Sequence, residues 1–360
     1  MEQGNRHMLL LNQQIGHLFR DALRINMTNP AYVYFLLQTL WRQRKAKQKR
    51  RQWEQEGIHV PPFMIASITN RCNLQCKGCY NRAQHRTEWQ ELSEDKLRDI
   101  IRQADELGIS IMLLAGGEPM VRKEIFSIMG EFPQIIFPIF TNGLLLNEEM
   151  VGMFKKRKNA VPVISVEGHR EETDVRRGAG VYDHLEKTFR LLKKSGIFFG
   201  TSITMTAKNF DLVTGYAFIE KLMESACRLF FYVEYVPVQQ GTEDLVLTEG
   251  QRQRVSALMA VLRHRYPGLF IAFPGDEEAF GGCLAAGRGF IHLNAAGDVE
   301  PCPFAPYSDT SLKNMTLKEA LQSEFLQTIR QHHGSLTETA GGCALWEKRE
   351  WVEKLLKEER

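Results

Sequence analysis

Three cysteines lie within eight positions, in the stretch NRCNLQCKGCYN that covers residues 70–81. Cys72, Cys76 and Cys79 follow the spacing C-x3-C-x2-C, and the next five positions hold no His, Asp, Glu or Cys. Tetrahedral zinc would want a fourth ligand nearby, and a disulfide would use two cysteines and leave one over. Three thiolates on a four-iron cluster, in contrast, leave one iron free to bind another molecule. The rest of the chain decides between these interpretations.

The composition is that of an ordinary globular protein, with 360 residues of which 43% are hydrophobic and 25% charged. The formal net charge of +3 comes from one segment, WRQRKAKQKRRQW at 41–53, which has seven basic residues and no acid. Because the excess of charge is local, DNA binding is not expected. The segment is interpreted either as the solvated face of a helix or as a contact with a membrane surface or an acidic partner.

The seven cysteines of the chain are expected to work in a reducing compartment. The first residues lack the charged region, long apolar stretch and cleavage site of a secretion signal. No run of about 18 apolar residues is present, so no transmembrane helix is expected. A cytoplasmic location follows as an expectation, and there cysteines serve metals or chemistry more often than disulfides.

A regular alternation of strands and helices begins after the prolines of HVPPF at 59–63. Six short apolar runs are predicted as strands, at 63–69, 110–116, 135–141, 161–167, 198–205 and 229–236. Helices are predicted between and after them, at 93–107, 122–131, 147–157, 181–195, 211–225 and 248–264. Six such units curl a parallel sheet into an open, partial (β/α)6 barrel. The α/β chain therefore divides into a helical extension with the basic segment at 1–60, the barrel at 61–275 and a small domain at 276–360.

Polar and glycine-rich residues follow one predicted strand after another. The first strand ends in the cysteine loop, the second in AGGEP at 115–119 and the third in TNG at 141–143. The fourth ends in SVEGHREETDVRRGAG at 165–180. Because the carboxyl ends of parallel strands meet at one face of a barrel, these residues are expected to form one site.

This combination of a C-x3-C-x2-C loop, a GGEP motif at the next strand end and a partial barrel resembles the radical S-adenosylmethionine (radical SAM) superfamily. The resemblance covers about residues 61–265. One position differs, because an aromatic residue often precedes the third cysteine in that family and Gly78 stands here, with Tyr80 after the cysteine. We expect this difference to alter packing against the adenine and not the chemistry.

The resemblance implies a cofactor site. Cys72, Cys76 and Cys79 would hold a 4Fe-4S cluster, and S-adenosylmethionine would bind the fourth iron and yield a 5′-deoxyadenosyl radical that takes hydrogen from a substrate. Gly116, Gly117 and Glu118 would receive the methionine amino group. Ser165 and Glu167 lie where family members contact the ribose, Arg177 would pair with the methionine carboxylate, and Asn142 would shape the pocket. Ordinary turn chemistry is an alternative role for Asn142 and Arg177.

A second set of cysteines follows the barrel. Cys283 and Cys302 flank a predicted hairpin, and their spacing around Gly297 resembles the opening of the auxiliary-cluster domain called SPASM, or its short form called twitch. With Cys343 they are expected to hold a second, auxiliary 4Fe-4S cluster whose fourth ligand is open, with His292 or an acid as candidates. A zinc site is the alternative. The remaining Cys227 is predicted to be a buried structural thiol.

The expected function is that of a radical SAM enzyme in cofactor biosynthesis or in peptide or protein modification. A small molecule or a peptide is the expected substrate, and a flavodoxin or ferredoxin the expected electron donor. The alternative is an iron–sulfur electron-transfer or scaffold protein without radical chemistry. The sequence identifies neither the substrate nor a catalytic side chain.

Overall fold

The computed structural model describes residues 2–84, 90–273, 280–336 and 343–358. Its centre is a curled sheet with the strand order β7-β6-β5-β4-β3-β2-β1-β8-β9. All neighbouring strands pair in parallel except the last two, which form an antiparallel hairpin. The strands are β1 (Phe63–Thr69), β2 (Ile111–Gly116), β3 (Phe137–Thr141), β4 (Ala160–Ser165), β5 (Gly200–Met205), β6 (Leu229–Glu234), β7 (Leu269–Phe273), β8 (Phe290–Leu293) and β9 (Val299–Glu300).

Helices connect the strands and extend the chain at both ends. Before the barrel lie α1 (Glu2–Ile25) and α2 (Pro30–Gln55). Within it lie α3 (Tyr80–Gln84), α4 (Glu94–Leu107), α5 (Ile125–Glu131), α6 (Glu148–Lys156), α7 (Arg170–Arg177), α8 (Val181–Ser195), α9 (Phe210–Val213), α10 (Tyr216–Glu224) and α11 (Glu249–Arg265). After it lie α12 (Leu317–Ala320), α13 (Glu324–Gln331), α14 (Ala344–Glu347) and α15 (Arg349–Glu358). Within these ranges no helix combines the length and apolar composition needed to cross a membrane.

The predicted partial barrel is confirmed, and all six predicted strands are present with ends that shift by a few residues. The sequence analysis missed β7, which adds a seventh parallel strand beside β6. It also missed α7, in the stretch that was treated as a loop after β4. The helix predicted at 211–225 is two short helices, because the backbone at Gly215 is extended between them.

Local signals explain α4, the helix that precedes β2. Ser93 caps α4 by accepting a hydrogen bond from the Lys96 backbone, and acidic residues follow in the first turn, where the helix dipole favours them. Gly108 ends the helix in a left-handed conformation that glycine adopts without steric cost. The apolar side of α4 is buried against the sheet, so the helix holds β1 and β2 side by side.

The helix pair α1–α2 covers the end of the barrel opposite to the strand carboxyl ends. Lys158, just before β4, donates to the carbonyl of Ala31 (3.0 Å), and the Tyr32 hydroxyl accepts from the backbone of Phe198 before β5 (3.0 Å). Further along α2, Arg50 donates to the carbonyl of Gly108 before β2 (2.5 Å). The pair encloses an apolar cavity of about 220 Å³ against the inner faces of the strands.

The predicted hairpin after the barrel is present as β8 and β9. β8 pairs in parallel with β1, with Phe63 opposite Phe290 and Ala66 opposite Leu293. The region after residue 280 is therefore joined to the barrel through a continuous sheet, and β8 lies directly beside the strand that leads into the cysteine loop.

Candidate functional site

The first three cysteines occupy the loop between β1 and α3. Cys72 is exposed, Cys76 and Cys79 are half-buried, and all three are free thiols. Burial raises the pKa of the Cys72 and Cys76 thiols, and neighbouring cysteines raise it further. The guanidinium groups of Arg177 and Arg176 act in the opposite direction at Cys76 and favour its thiolate. The thiolate is the form in which cysteine binds iron.

The two glycines after β2 bring that strand end against the cysteine loop. The Gly117 backbone donates to the Thr69 carbonyl (2.7 Å), and the Glu118 backbone donates to the Arg71 carbonyl (2.8 Å). A Cβ atom at Gly116 or Gly117 would collide with these same carbonyls. The glycines are thus required by the close approach of the chain to itself, which fixes the path of the loop toward its first cysteine.

Glu118 is a buried hub that joins the ends of β2 and β3. Its carboxylate accepts hydrogen bonds from the Thr141 hydroxyl (2.7 Å), the Asn142 backbone (2.7 Å) and the Met120 backbone (3.0 Å). Burial raises the pKa of Glu118, and these hydrogen bonds oppose the shift. The Asn142 side chain in turn donates to the Asn73 side chain in the cysteine loop (2.7 Å). Asn142 also makes the turn that was the alternative to its pocket role, because its Oδ1 accepts from the Leu144 backbone (3.0 Å).

Glu167, after β4, forms a buried cluster with two arginines of α7. One carboxylate oxygen accepts from Arg176 Nη1 (2.5 Å) and from Arg177 Nε (2.9 Å), and the other accepts from the Thr204 backbone (3.2 Å). Although burial of Arg177 opposes its charged form, the Glu167 carboxylate and Cys76 raise its pKa overall. The predicted residue Ser165 lies half-buried at the end of β4, opposite Ser202 of β5.

Several residues of the site were missed by the sequence analysis. Arg176 also donates to the Thr204 hydroxyl (2.8 Å), and its carbonyl accepts from the Lys77 backbone between the cysteines (2.9 Å). Asn209 holds the chain after β4, because its side chain donates to the Glu167 carbonyl (2.9 Å). The adjacent arginines at 176 and 177 were a usable signal, since a helix over 170–177 places both beside Glu167.

Tyr235 occupies the space in front of Gly78. A Cβ atom at Gly78 would collide with the Tyr235 hydroxyl, and the φ of Gly78 is +63°. Tyr235 is 2% exposed, and its hydroxyl donates to Thr242 (2.8 Å). An aromatic ring from the loop after β6 therefore packs directly against Gly78.

The donor set and charges of this site suit an iron–sulfur cluster with an amino acid-like ligand. Three thiols on one loop match the ligands that iron–sulfur clusters use. Two guanidinium groups face the single carboxylate of Glu167, which leaves a positive charge beside Cys76. The buried Arg176 Nε has no hydrogen-bond partner among the described residues. An unpaired buried donor of this kind fits a carboxylate ligand.

The second cysteine set also comes together. Cys302 forms a hydrogen bond with Cys343, and with burial and nearby Cys283 this raises the pKa of Cys302 well above its usual value. Cys283 and Cys302 are each 7% exposed, whereas Cys343 is half-buried. Cys227 is fully buried away from both sets, as predicted, and burial raises its pKa to about 12.

His292 lies near this set, but its ring is already engaged. Nε2 hydrogen-bonds with the Ser67 hydroxyl (2.8 Å), and Nδ1 with the Glu300 carboxylate (2.7 Å). All three side chains are buried at the junction of β1, β8 and β9. Because both ring nitrogens are used, the arrangement does not favour His292 as the fourth ligand of a metal centre.

Tyr80 lies between the two cysteine sets. Burial raises the pKa of its hydroxyl, and the neighbouring groups that affect it include Cys79, Ser67 and Cys302. Its ring packs edge-on against Phe304, with 5.4 Å between ring centroids. In the described part of the chain, no three His, Cys, Asp or Glu side chains are grouped closely enough to hold a single metal ion.

Comparison with known proteins agrees with this geometry. Residues 66–211 match the family model described as the radical SAM superfamily. The AdoMet-dependent heme synthase of Methanosarcina barkeri is 24% identical over 319 residues, which cover 80% of this chain and 89% of that protein. The mycofactocin maturase MftC of Mycolicibacterium smegmatis is 25% identical over 308 residues, 81% of this chain and 76% of that one.

Solved structures show the same fold. Streptococcus suis SuiB bound to S-adenosylmethionine superposes with a TM-score of 0.61 at 17% identity, over 87% of this chain and 74% of that one. SuiB bound to its precursor peptide SuiA gives a TM-score of 0.62 at 17% identity, over 87% and 75% of the two chains. The barrel of this protein therefore shares its fold with these structures, and residues 66–211 within it match the radical SAM family model.

Proposed function

We propose that the protein is an enzyme that binds a 4Fe-4S cluster and S-adenosylmethionine at the carboxyl ends of β1 to β5 and abstracts hydrogen from a substrate. The observation that carries the proposal is the junction of four strand ends with one cysteine loop. GGEP, Asn142 and α7 each contact the backbone or side chains of residues 69–77. When bound, the cluster and S-adenosylmethionine supply a 5′-deoxyadenosyl radical.

In this proposal Cys72, Cys76 and Cys79 are the ligands of the cluster. The paired arginines provide the positive charge for the methionine carboxylate, with Arg176 Nε as the free donor. Gly116, Gly117 and Glu118 would receive the methionine amino group, and Ser165 and Glu167 would contact the ribose. Tyr235 provides an aromatic surface over Gly78 for the adenine.

An auxiliary 4Fe-4S cluster on Cys283, Cys302 and Cys343 completes the proposal. The contact between Cys302 and Cys343, with Cys283 beside them, supports a shared centre. The region 276–360 would then be a SPASM- or twitch-like domain after the barrel at 61–275 and the helical extension at 1–60. Tyr80 would lie between the two centres.

The substrate class is proposed from the relatives. Their names describe heme synthesis and maturation of mycofactocin, and SuiB binds a precursor peptide. We therefore propose a small cofactor precursor or a peptide as substrate, and a flavodoxin or ferredoxin as electron donor.

The direct test is formation of 5′-deoxyadenosine by the anaerobically reconstituted protein with dithionite and S-adenosylmethionine. The wild type should form 5′-deoxyadenosine, and Cys76→Ala should form none. Cys227→Ala is the matched control, because this thiol is buried away from both cysteine sets and should leave cleavage unchanged. If the wild type with a full complement of iron forms no 5′-deoxyadenosine, the electron-transfer or scaffold function replaces this proposal.

A further inference from the structure

The outer face of α2 carries large side chains that the protein does not bury. Tyr34, Leu37 and Trp41 are 65%, 51% and 56% exposed. Their spacing of three and four residues places them on one stripe of the helix. The opposite face is already used in packing, because Leu36 and Thr39 are buried against the barrel side. The stripe is therefore not needed to hold α2 in place.

Positive charge continues along the same face of the helix. Of the seven basic residues at 41–53, three bind the barrel: Arg42 at the Pro133 carbonyl, Lys49 at Asp105 and Arg50 at the Gly108 carbonyl. The other four are Arg44, Lys45, Lys47 and Arg51, and none forms an ion pair with an acid in the described part of the chain.

These four cations lie within eight consecutive residues of α2, at 44–51. Burial and the charges of Arg51 and Arg50 lower the pKa of Lys47. The Lys45 ammonium lies 3.6 Å from the centre of the Trp41 ring, so the basic group begins where the apolar stripe ends. An aromatic stripe that continues into unpaired cations matches the boundary between acyl chains and anionic headgroups.

We propose that the outer face of α2, defined by Tyr34, Leu37, Trp41, Arg44, Lys45 and Arg51, docks on an anionic phospholipid membrane. The apolar side chains enter the headgroup layer, where Tyr and Trp are favoured. The cations contact the lipid phosphates, and each contributes roughly a five-fold gain in partitioning. A bilayer is favoured over an acidic protein because the exposed Tyr34, Leu37 and Trp41 adjoin the cations, and an acidic surface would use the cations alone.

The apolar cavity behind the α1–α2 pair is consistent with docking through the outer face of α2. The apolar cavity of about 220 Å³ is lined by Phe35 and Leu36 of α2 on one side and by Phe231 of the sheet on the other. Docking through the outer face would bring this cavity next to the bilayer. An apolar cavity of this kind accepts hydrocarbon groups.

The test is co-sedimentation of the full chain with vesicles of phosphatidylglycerol and phosphatidylcholine in equal parts, compared with pure phosphatidylcholine. Binding to the anionic vesicles should exceed binding to the neutral ones by at least about ten-fold at low salt, and it should weaken as salt is raised. Leu37→Glu/Trp41→Glu should lower binding about ten-fold or more. Arg44→Gln/Lys45→Gln should lower it roughly 20-fold.

Matched controls distinguish docking through α2 from nonspecific binding of exposed apolar or basic side chains to vesicles. Val261 on α11 is also exposed, at 47%, and Lys194 is an exposed cation on α8, so Val261→Glu and Lys194→Gln should bind as the wild type does. Absence of wild-type binding to anionic vesicles would overturn the proposal. Unchanged binding of Leu37→Glu/Trp41→Glu would also overturn it, and would indicate a purely ionic surface for an acidic partner. Because this assay needs neither iron nor S-adenosylmethionine, its result is independent of the proposed catalytic function.

Discussion

The most informative side chain in the site is Glu167, because two arginines depend on it. It is 1% exposed and contacts both Arg176 and Arg177. Sequence analysis identified Glu167 and Arg177 separately, each as a ligand contact. Their mutual pairing was not predictable, because it depends on α7 turning back over the end of β4.

Substitution of Glu167 tests whether this cluster is a buried charge network. Glu167→Gln removes the buried carboxylate that pairs with Arg176 and Arg177, and we expect it to lower the free energy of unfolding by about 3–5 kcal/mol. Urea denaturation measures the change. Glu149→Gln is the control, since its ion pair with Lys123 is exposed and should contribute less than about 1 kcal/mol. Equal effects of the two substitutions would contradict a buried network.

The auxiliary thiols make a separate prediction. Cys302→Ala should lose the auxiliary centre and substrate turnover but keep part of the cleavage of S-adenosylmethionine, because Cys72, Cys76 and Cys79 are untouched. Anaerobic assays of 5′-deoxyadenosine and of substrate consumption distinguish the two activities. Full activity of Cys302→Ala on the true substrate would show that the assignment of Cys283, Cys302 and Cys343 is wrong.

Among the elements, strands with a continuous apolar run and helices with a clear N-terminal cap were the best predicted from sequence. α4 was predicted from Ser93 as its cap and from Glu94 and Asp95 in its first turn, and the structure confirms both features. β7 was missed because its apolar run, LFIAF at 269–273, is short and is not followed directly by a cysteine loop or a motif such as GGEP. The pairing of β8 with β1 was not predictable, because it joins segments more than 220 residues apart, beyond any local pattern.

The close packing of the residues after β2 against the cysteine loop predicts that Gly117 cannot be replaced by a larger residue without loss of stability. Gly117→Ala should destabilise the protein by more than about 2 kcal/mol and reduce bound iron, because its Cβ atom would collide with the Arg71 carbonyl. Gly152 in α6 is the control, since a Cβ atom there would meet nothing within 4 Å. Gly152→Ala should stabilise the helix by roughly 0.5–1 kcal/mol. Similar unfolding midpoints for both variants would contradict the packing described here.

The docking of α1 should depend on pH through His7. The pKa of His7 is lowered to about 4, first by burial and then by the positive charges of Arg288 and His59, with His333 adding to the effect. The unfolded chain, with the ordinary value of about 6.5, therefore takes up the proton first as the pH falls. Stability from this residue is complete above pH 6.5 and is lost toward pH 4.

We expect roughly 2 kcal/mol of this stability to be lost between pH 7 and pH 5. His7→Gln cannot titrate but can still donate to the Arg288 carbonyl, which lies 3.3 Å from His7 Nε2. Urea denaturation at both pH values should therefore show a smaller loss for His7→Gln than for the wild type. Parallel losses in the two proteins would contradict the assignment to His7.

For the molecule as a whole, the two cysteine sets lie on either side of Tyr80, with the barrel on one side and the β8–β9 hairpin on the other. The first cysteine loop was predictable from the spacing of Cys72, Cys76 and Cys79, because that spacing is local in sequence. The α1–α2 pair closes the end of the barrel opposite to the strand carboxyl ends. The sequence could not show which face of α2 is buried, because that depends on how the helix packs on the barrel. Substrate identity remains a proposal from relatives.

We propose that two separate sets of cysteines each hold a four-iron cluster. This proposal is tested by iron and sulfide per chain after anaerobic purification, for the wild type and for Cys283→Ala/Cys302→Ala/Cys343→Ala. We predict about eight irons in the wild type and about four in the variant, with sulfide in proportion. About four irons in both proteins would contradict the proposal of a second cluster. The region after the barrel would then have a structural role only.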